Sequence, residues 1–267
     1  MEYLYNLFFF VIGACLGSFL NVAIFRLPND LPLTGRSQCP YCKATLTPLQ
    51  LIPILSWLML RGKCAKCKHA ISFQYPLIEV VTGIFFVFTW FQLGPYFLSD
   101  YLLLFRNWFV ILICIAVFVI DLRHKLILDV ITFPSIILLL VCNIWLDYLQ
   151  GSFLTLDSYT LGGLVAGTAA SLLFYLFWFF SKGTWIGFGD VKFAWVMGLA
   201  LGFPGALFAV MLAAYLGVFV SIPLLLLKKA SFKTQLPFGC FLSASVLVLV
   251  FFSSTLLDIY IKYFAVY

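Results

Sequence analysis

Two carboxylates beside apolar runs carry most of the chemistry open to this chain. Asp121 closes Phe118-Val119-Ile120-Asp121, and Asp190 closes Gly187-Phe188-Gly189-Asp190. Where 64% of residues are hydrophobic and 10% charged, an aspartate at the end of an apolar segment is costly unless it faces water or does work. Two of them on one side of a membrane suggest a proton-sharing pair. Close carboxylates do not both ionise comfortably, so one keeps a proton while the other acts as base on a water that attacks a carbonyl. Gly187 and Gly189 strip side-chain bulk from the approach to Asp190, so the backbone there can unwind or admit an extended peptide. A glycine turn with a solvated aspartate is the bland alternative.

The second chemical group is a set of four cysteines. Cys39-Pro40-Tyr41-Cys42 and Cys64-Ala65-Lys66-Cys67 are two CxxC knuckles at a separation that returns a chain to a tetrahedral zinc site. Lys43, Lys63 and Lys66 would favour the thiolates, and bound Zn2+ would organise a loop too small to build its own core. A pair of redox dithiols or a metal-free loop are the competing readings. Cys15, Cys114, Cys142 and Cys240 stand alone in or beside apolar runs and act as small hydrophobes.

The elements that must position these groups are membrane helices. Mean hydropathy is +1.11, and a span needs roughly 17 to 25 apolar residues. Eight are expected, near residues 4–24, 76–93, 102–120, 130–146, 161–180, 185–202, 206–227 and 238–261. The fold class is thus all-α, a polytopic helix bundle with a small zinc-ribbon-like loop. Its divisions are a first helix over 1–26, a cysteine loop over 27–75 and a bundle over 76–267. No removable signal peptide is expected, since no cation precedes the first span. Residues 51–60 are too short and too interrupted by proline to cross, and are expected to rest at the interface.

Cations set the orientation, because short cytoplasmic loops retain Lys and Arg. They fill the loop from Arg26 to Tyr75, recur at Arg123 and Lys125, flank Gly183 at Lys182 and Lys192, and return at Lys228, Lys229 and Lys233. The N-terminus is expected outside, with both aspartates on the cytoplasmic face. Arg106 and Lys262 break the pattern and are expected to snorkel. The net charge of +6 follows from this topology, so no nucleic-acid partner is expected.

Three polar residues have possible accessory roles. Asp129 is expected to cap the fourth span, with a third functional acid as the alternative. Glu79, a few residues into an apolar span, is expected to find a structural ion pair with a loop cation. Lys192 could tune Asp190, touch a substrate carboxylate or face water. In the first span Gly13 and Gly17 are spaced for close helix packing, and Asn21 could bond to another helix.

These residues together resemble the bacterial type IV prepilin peptidases. The likeness runs through Gly17-Ser18-Phe19-Leu20-Asn21-Val22, Arg26-Leu27-Pro28, both CxxC knuckles, Tyr75-Pro76-Leu77-Ile78-Glu79, Asp121 with Asp129, Gly187 to Lys192, and Pro237-Phe238-Gly239. The resemblance implies an inner-membrane aspartic protease with Asp121 and Asp190 as its catalytic pair. It would cut the leader from prepilins and pseudopilins on the cytoplasmic side. It also implies N-methylation of the new terminus with S-adenosylmethionine, although some relatives are peptidases only. The chain departs from the family pattern at Leu128 and Cys240, where prolines are common, and neither departure is expected to touch the carboxylates. A proton-coupled transporter is the rival from another class; it would place its acids at mid-membrane. A zinc-ribbon scaffold without catalysis is a third, and it leaves Asp190 and its glycines without a purpose.

Overall fold

The computed structural model describes residues 2–94, 96–152, 155–227 and 236–264, with side chains given from residue 3 and, in the last stretch, to Phe252. Lys228, Lys229 and Lys233, and the side chains of Asp258 and Lys262, lie outside the described residues. Nine α-helices make up the described chain, α1 (Glu2–Arg26), α2 (Leu55–Met59), α3 (Gln74–Leu93), α4 (Leu98–His124), α5 (Asp129–Gln150), α6 (Tyr159–Ser181), α7 (Phe188–Leu201), α8 (Gly205–Leu226) and α9 (Phe238–Phe264). No β-strand is among them; two isolated bridges stand in the cysteine loop. Eight helices coincide with the expected spans. By length and composition α1, α3, α4, α5, α6 and α8 can cross a membrane. The sixth span, expected from Trp185, is helical only from Phe188 and has 14 residues. The protein is therefore an all-helical, multi-pass membrane protein.

Two compact units divide the chain, Met1–Tyr96 and Phe97–Tyr267. In the first, α1 packs along α3. Lipid offers no hydrophobic drive to helix association, so close backbone approach must supply the contact. Glycine permits it: a Cβ on Gly13 would lie 2.8 Å from Gly83 Cα, and one on Gly17 would lie 2.9 Å from Glu79 Cα. One turn beyond, Asn21 Nδ2 donates to Tyr75 O at 3.1 Å. Where α1 ends, the Arg26 guanidinium donates to the carbonyls of Pro32, Leu33, Thr34 and Arg36 and gathers the loop around itself.

The two cysteine knuckles are built alike. Each ends in a lysine with left-handed backbone, Lys43 at φ 55° and Lys68 at φ 60°. Each closes with matching bonds, Cys39 N to Ala44 O and Lys43 N to Cys39 O in one, Cys64 N to His69 O and Lys68 N to Cys64 O in the other. The bridges Gln38 to Thr45 and Lys63 to Ala70 flank them at the same offset. Between the knuckles, α2 exposes Leu55, Leu58 and Met59. Trp57 turns inward, donating from Nε1 to Ile71 O at 3.3 Å.

In the second unit α7 is surrounded. It packs on α5, α6, α8 and α9, while α4 packs on α5 and α9. Phe193, Ala194, Val196 and Met197 of α7 are fully enclosed. Its closest neighbour is α6, because a Cβ on Gly198 would collide with Gly167 N and one on Gly167 would lie 2.9 Å from the Trp195 ring.

Candidate active site

Asp121 stands in the last turn of α4 and Asp190 in the first turn of α7. Both are buried, at 5% and 7% exposure. Each carboxylate is held by a backbone amide at the start of a helix. Asp190 Oδ2 accepts from Gly187 N at 3.1 Å, at the head of its own helix. Asp121 Oδ2 accepts from Cys240 N at 2.9 Å, at the head of α9. Free amides and the positive end of a helix favour a carboxylate at both places. Asp190 is near enough to Asp121 to feel its charge. Such a pair can carry one proton between an acid and a base, as activation of water requires.

Ile127 packs against a glycine beside each of them. A Cβ on Gly189 would lie 2.8 Å from Ile127 Cβ, and one on Gly239 would lie 2.9 Å from both Ile127 Cδ1 and Asp121 Oδ2. The chain that approaches Gly189 closely is thus the α4 to α5 connection of this same protein. Gly187 is open, its nearest neighbour being the Asp190 carboxylate itself at 3.4 Å.

Several sequence expectations change in detail. Cys240 does touch a carboxylate, contrary to expectation: its amide bonds to Asp121 and its thiol donates to Phe118 O at 3.1 Å. The reason is local, since α9 begins at Phe238 and Cys240 still lies among the amides that no helical carbonyl takes. Asp129 is the first residue of α5, with Leu128 at the cap position. Its carboxylate pairs with Lys192 of α7, so Lys192 is engaged by Asp129 and stacks near Phe133 and Phe188. Glu79 meets an amide where a cation was expected, accepting from Ile54 N at 2.7 Å. Arg106 does not snorkel. It is 4% exposed and donates to Asn143 Oδ1, Leu199 O and Ala200 O.

In the first unit Cys39, Cys42, Cys64 and Cys67 bring their sulfurs within 4.8 Å of one another, with 3.9 Å between Cys39 and Cys67 and 4.0 Å between Cys42 and Cys64. Tetrahedral zinc at ~2.3 Å from each sulfur would set them ~3.8 Å apart. These separations are far beyond a disulfide bond, and all four thiols are free. Knuckle amides at Cys67 and Lys66 hold the Cys64 thiol down at about 6, and that of Cys42 lowers Cys39; Cys67, despite an amide at His69, is pushed up to about 11 by burial and the neighbouring thiols. The cluster can hold a metal ion.

Comparison with known proteins follows the same division. Residues 11–93 match the bacterial peptidase A24 N-terminal domain, and residues 108–222 match the type IV leader peptidase family. The chain is 34% identical to a prepilin leader peptidase/N-methyltransferase of Bacillus subtilis, over 95% of its length and 96% of the relative's. It is 30% identical to the protein of that name in Aeromonas hydrophila, over 91% and 89%, and 31% identical to that of Neisseria gonorrhoeae, over 83% of each. No solved structure matches. With two matched domains, and relatives at this identity across nearly the whole chain, the protein belongs to the type IV leader peptidase family.

Proposed function

We propose that this protein is a membrane aspartic endopeptidase that removes the leader from type IV prepilins or pseudopilins and then methylates the exposed amine. One observation supports the peptidase above all: two buried aspartates from different helices, each oriented by a helix-start amide, with interacting charges. Asp121 and Asp190 share one proton. The ionised carboxylate takes a proton from water, whose oxygen attacks the scissile carbonyl carbon, while the protonated partner gives its proton to the carbonyl oxygen. Collapse of the diol breaks the C–N bond as the amine takes up a proton, and the pair returns with one proton. Gly187 leaves open backbone beside Asp190 for the substrate chain. Asp129 and Lys192 lace α5 to α7 at this end. By the distribution of cations, this end faces the cytoplasm of the inner membrane and the N-terminus lies outside.

Methyl transfer is assigned to the first unit. Glu79 is 6% exposed, and Asn21 Oδ1, on the facing helix one turn away, is buried with no partner among the described residues. Acceptors without a cation suit a cationic ligand, and S-adenosylmethionine would supply the methyl group there. The four cysteines would hold structural Zn2+ and fix the loop that carries Ile54. The deciding experiment incubates purified protein with a prepilin-like substrate. Wild type should produce the leader-sized shift on a gel, and Asp121→Asn and Asp190→Asn should each abolish it with membrane insertion intact. Full cleavage by either variant would remove the aspartic mechanism.

A further inference from the structure

At the end of the bundle away from the aspartates lies a polar cluster that the proposed chemistry does not use. Arg106 of α4 donates to Asn143 Oδ1 at 2.7 Å and Ala200 O at 2.8 Å, and also to Leu199 O. Asn143 Nδ2 donates to the same Leu199 O at 2.9 Å and to Tyr159 O at 3.1 Å. One turn along α5, Asp147 accepts the amides of Tyr159 and Thr160, both at 2.8 Å, and so caps α6. Arg106, Asn143 and Asp147 are all buried, and Arg106 also lies 5.5 Å from the Tyr159 ring centre.

The cluster answers a problem of length. With 14 residues, α7 rises about 20 Å, short of the ~30 Å hydrocarbon core. Its last carbonyls therefore end inside the bundle, where an unmet acceptor is expensive. Arg106 and Asn143 meet them, and the guanidinium also complements the negative end of the helix.

Those bonds have a second effect, because α4 carries Asp121 and α7 carries Asp190. The helices run antiparallel: Arg106 faces the tail of α7, and Asp121 lies by its head. Backbone packing holds α7 mainly to other helices, so α4 reaches it chiefly through side chains. From Arg106 to Asp121 is 15 residues, about 22 Å along α4, and from Asp190 to Leu199 is nine, about 14 Å along α7. The Arg106 side chain bridges the two helices there, its guanidinium reaching Leu199 O and Ala200 O. We infer that Arg106 is a positioning residue: by gripping the tail of α7 it sets the height of Asp190 against Asp121. It rests on the reading of the two aspartates as a working pair. A helix is stiff along its axis, so slack at Leu199 is felt at Asp190, and misplacement by about 1 Å costs on the order of a hundredfold in rate.

The test compares full-length wild type with Arg106→Lys, Arg106→Met and Asn143→Ala in detergent, by cleavage kinetics and by amide hydrogen exchange. Arg106→Met should lower kcat on the order of a hundredfold with KM within about threefold, and lysine should restore part of it. Exchange should quicken in residues 186–192, at the far end of α7, as well as near Leu199, while α1 and α3 stay unchanged. If exchange quickens only near Leu199, or kcat stays within about twofold, the positioning role is refuted. Should Arg106→Met not fold, Arg106→Lys and Asn143→Ala decide by the same two readouts, with smaller losses. Should wild type not cleave, the proposed peptidase falls, while exchange across α7 still decides whether the clamp sets its register.

Discussion

The amide of Cys240 donates to Oδ2 of Asp121 across 2.9 Å, tying the first turn of α9 to the last turn of α4. A proline at this position has no N–H to give, yet it is tolerated in the first turn of a helix. Cys240→Pro should therefore fold and lose one of the bonds that orient Asp121. A hydrogen bond to a charged group contributes about 1.5 to 3 kcal/mol, and other contacts offset part of that. The family resemblance puts proline here in many relatives, and the Gly239 amide also bonds to Asp121, so a fall in kcat of no more than about tenfold is expected. Cys240→Ala keeps the amide and should stay within about twofold. Equal activity of the two variants would show that the bond does not hold the carboxylate.

Asp129 and Lys192 make a partly exposed pair, with side-chain exposures of 54% and 22%. Such pairs contribute about 0 to 1 kcal/mol. Asp129→Asn should lower cleavage by no more than about fivefold, in contrast to the loss expected from Asp190→Asn. Cleavage abolished in a well-folded Asp129→Asn protein would mark a third catalytic acid.

One metal ion per chain should be found by elemental analysis, and zinc is expected. Serine at Cys39 and Cys64 should release it. Ligand thiols must be deprotonated, so affinity falls as pH falls. Backbone amides hold the Cys64 thiol down at about 6, whereas burial and the neighbouring thiols push Cys67 up to about 11, so binding at neutral pH should release protons. Metal should be retained at pH 8 and lost on strong acidification. No metal at all in protein with four rapidly alkylated thiols would overturn the site.

Glu79→Gln separates charge from structure, because glutamine still offers an oxygen to the Ile54 amide. If the carboxylate balances a cation during methyl transfer, the variant should cleave within about threefold of wild type and methylate at least about tenfold more slowly. Mass spectrometry of the mature N-terminus measures both. Unchanged methylation would move that site elsewhere. Conversely, Asp190→Ala should still methylate a substrate supplied already cleaved.

Sequence alone determined the helical membrane class, because long apolar runs must satisfy their backbone internally in lipid. It also marked the cysteine cluster and the two aspartates, since CxxC spacing and acids beside apolar runs are local signals. Only tertiary structure decided the partners. That Cys240 reaches Asp121 depends on where α9 meets α4, 119 residues apart along the chain. That Lys192 faces Asp129, and Glu79 an amide, depends on which faces of separate elements come together. Arg106 is the clearest instance. Cation counting places a lone arginine at an interface, because it weighs the cost of burial without knowing what waits inside. The short α7 leaves its final carbonyls unmet at that depth, and the arginine that hydropathy alone would send to water is held in the bundle.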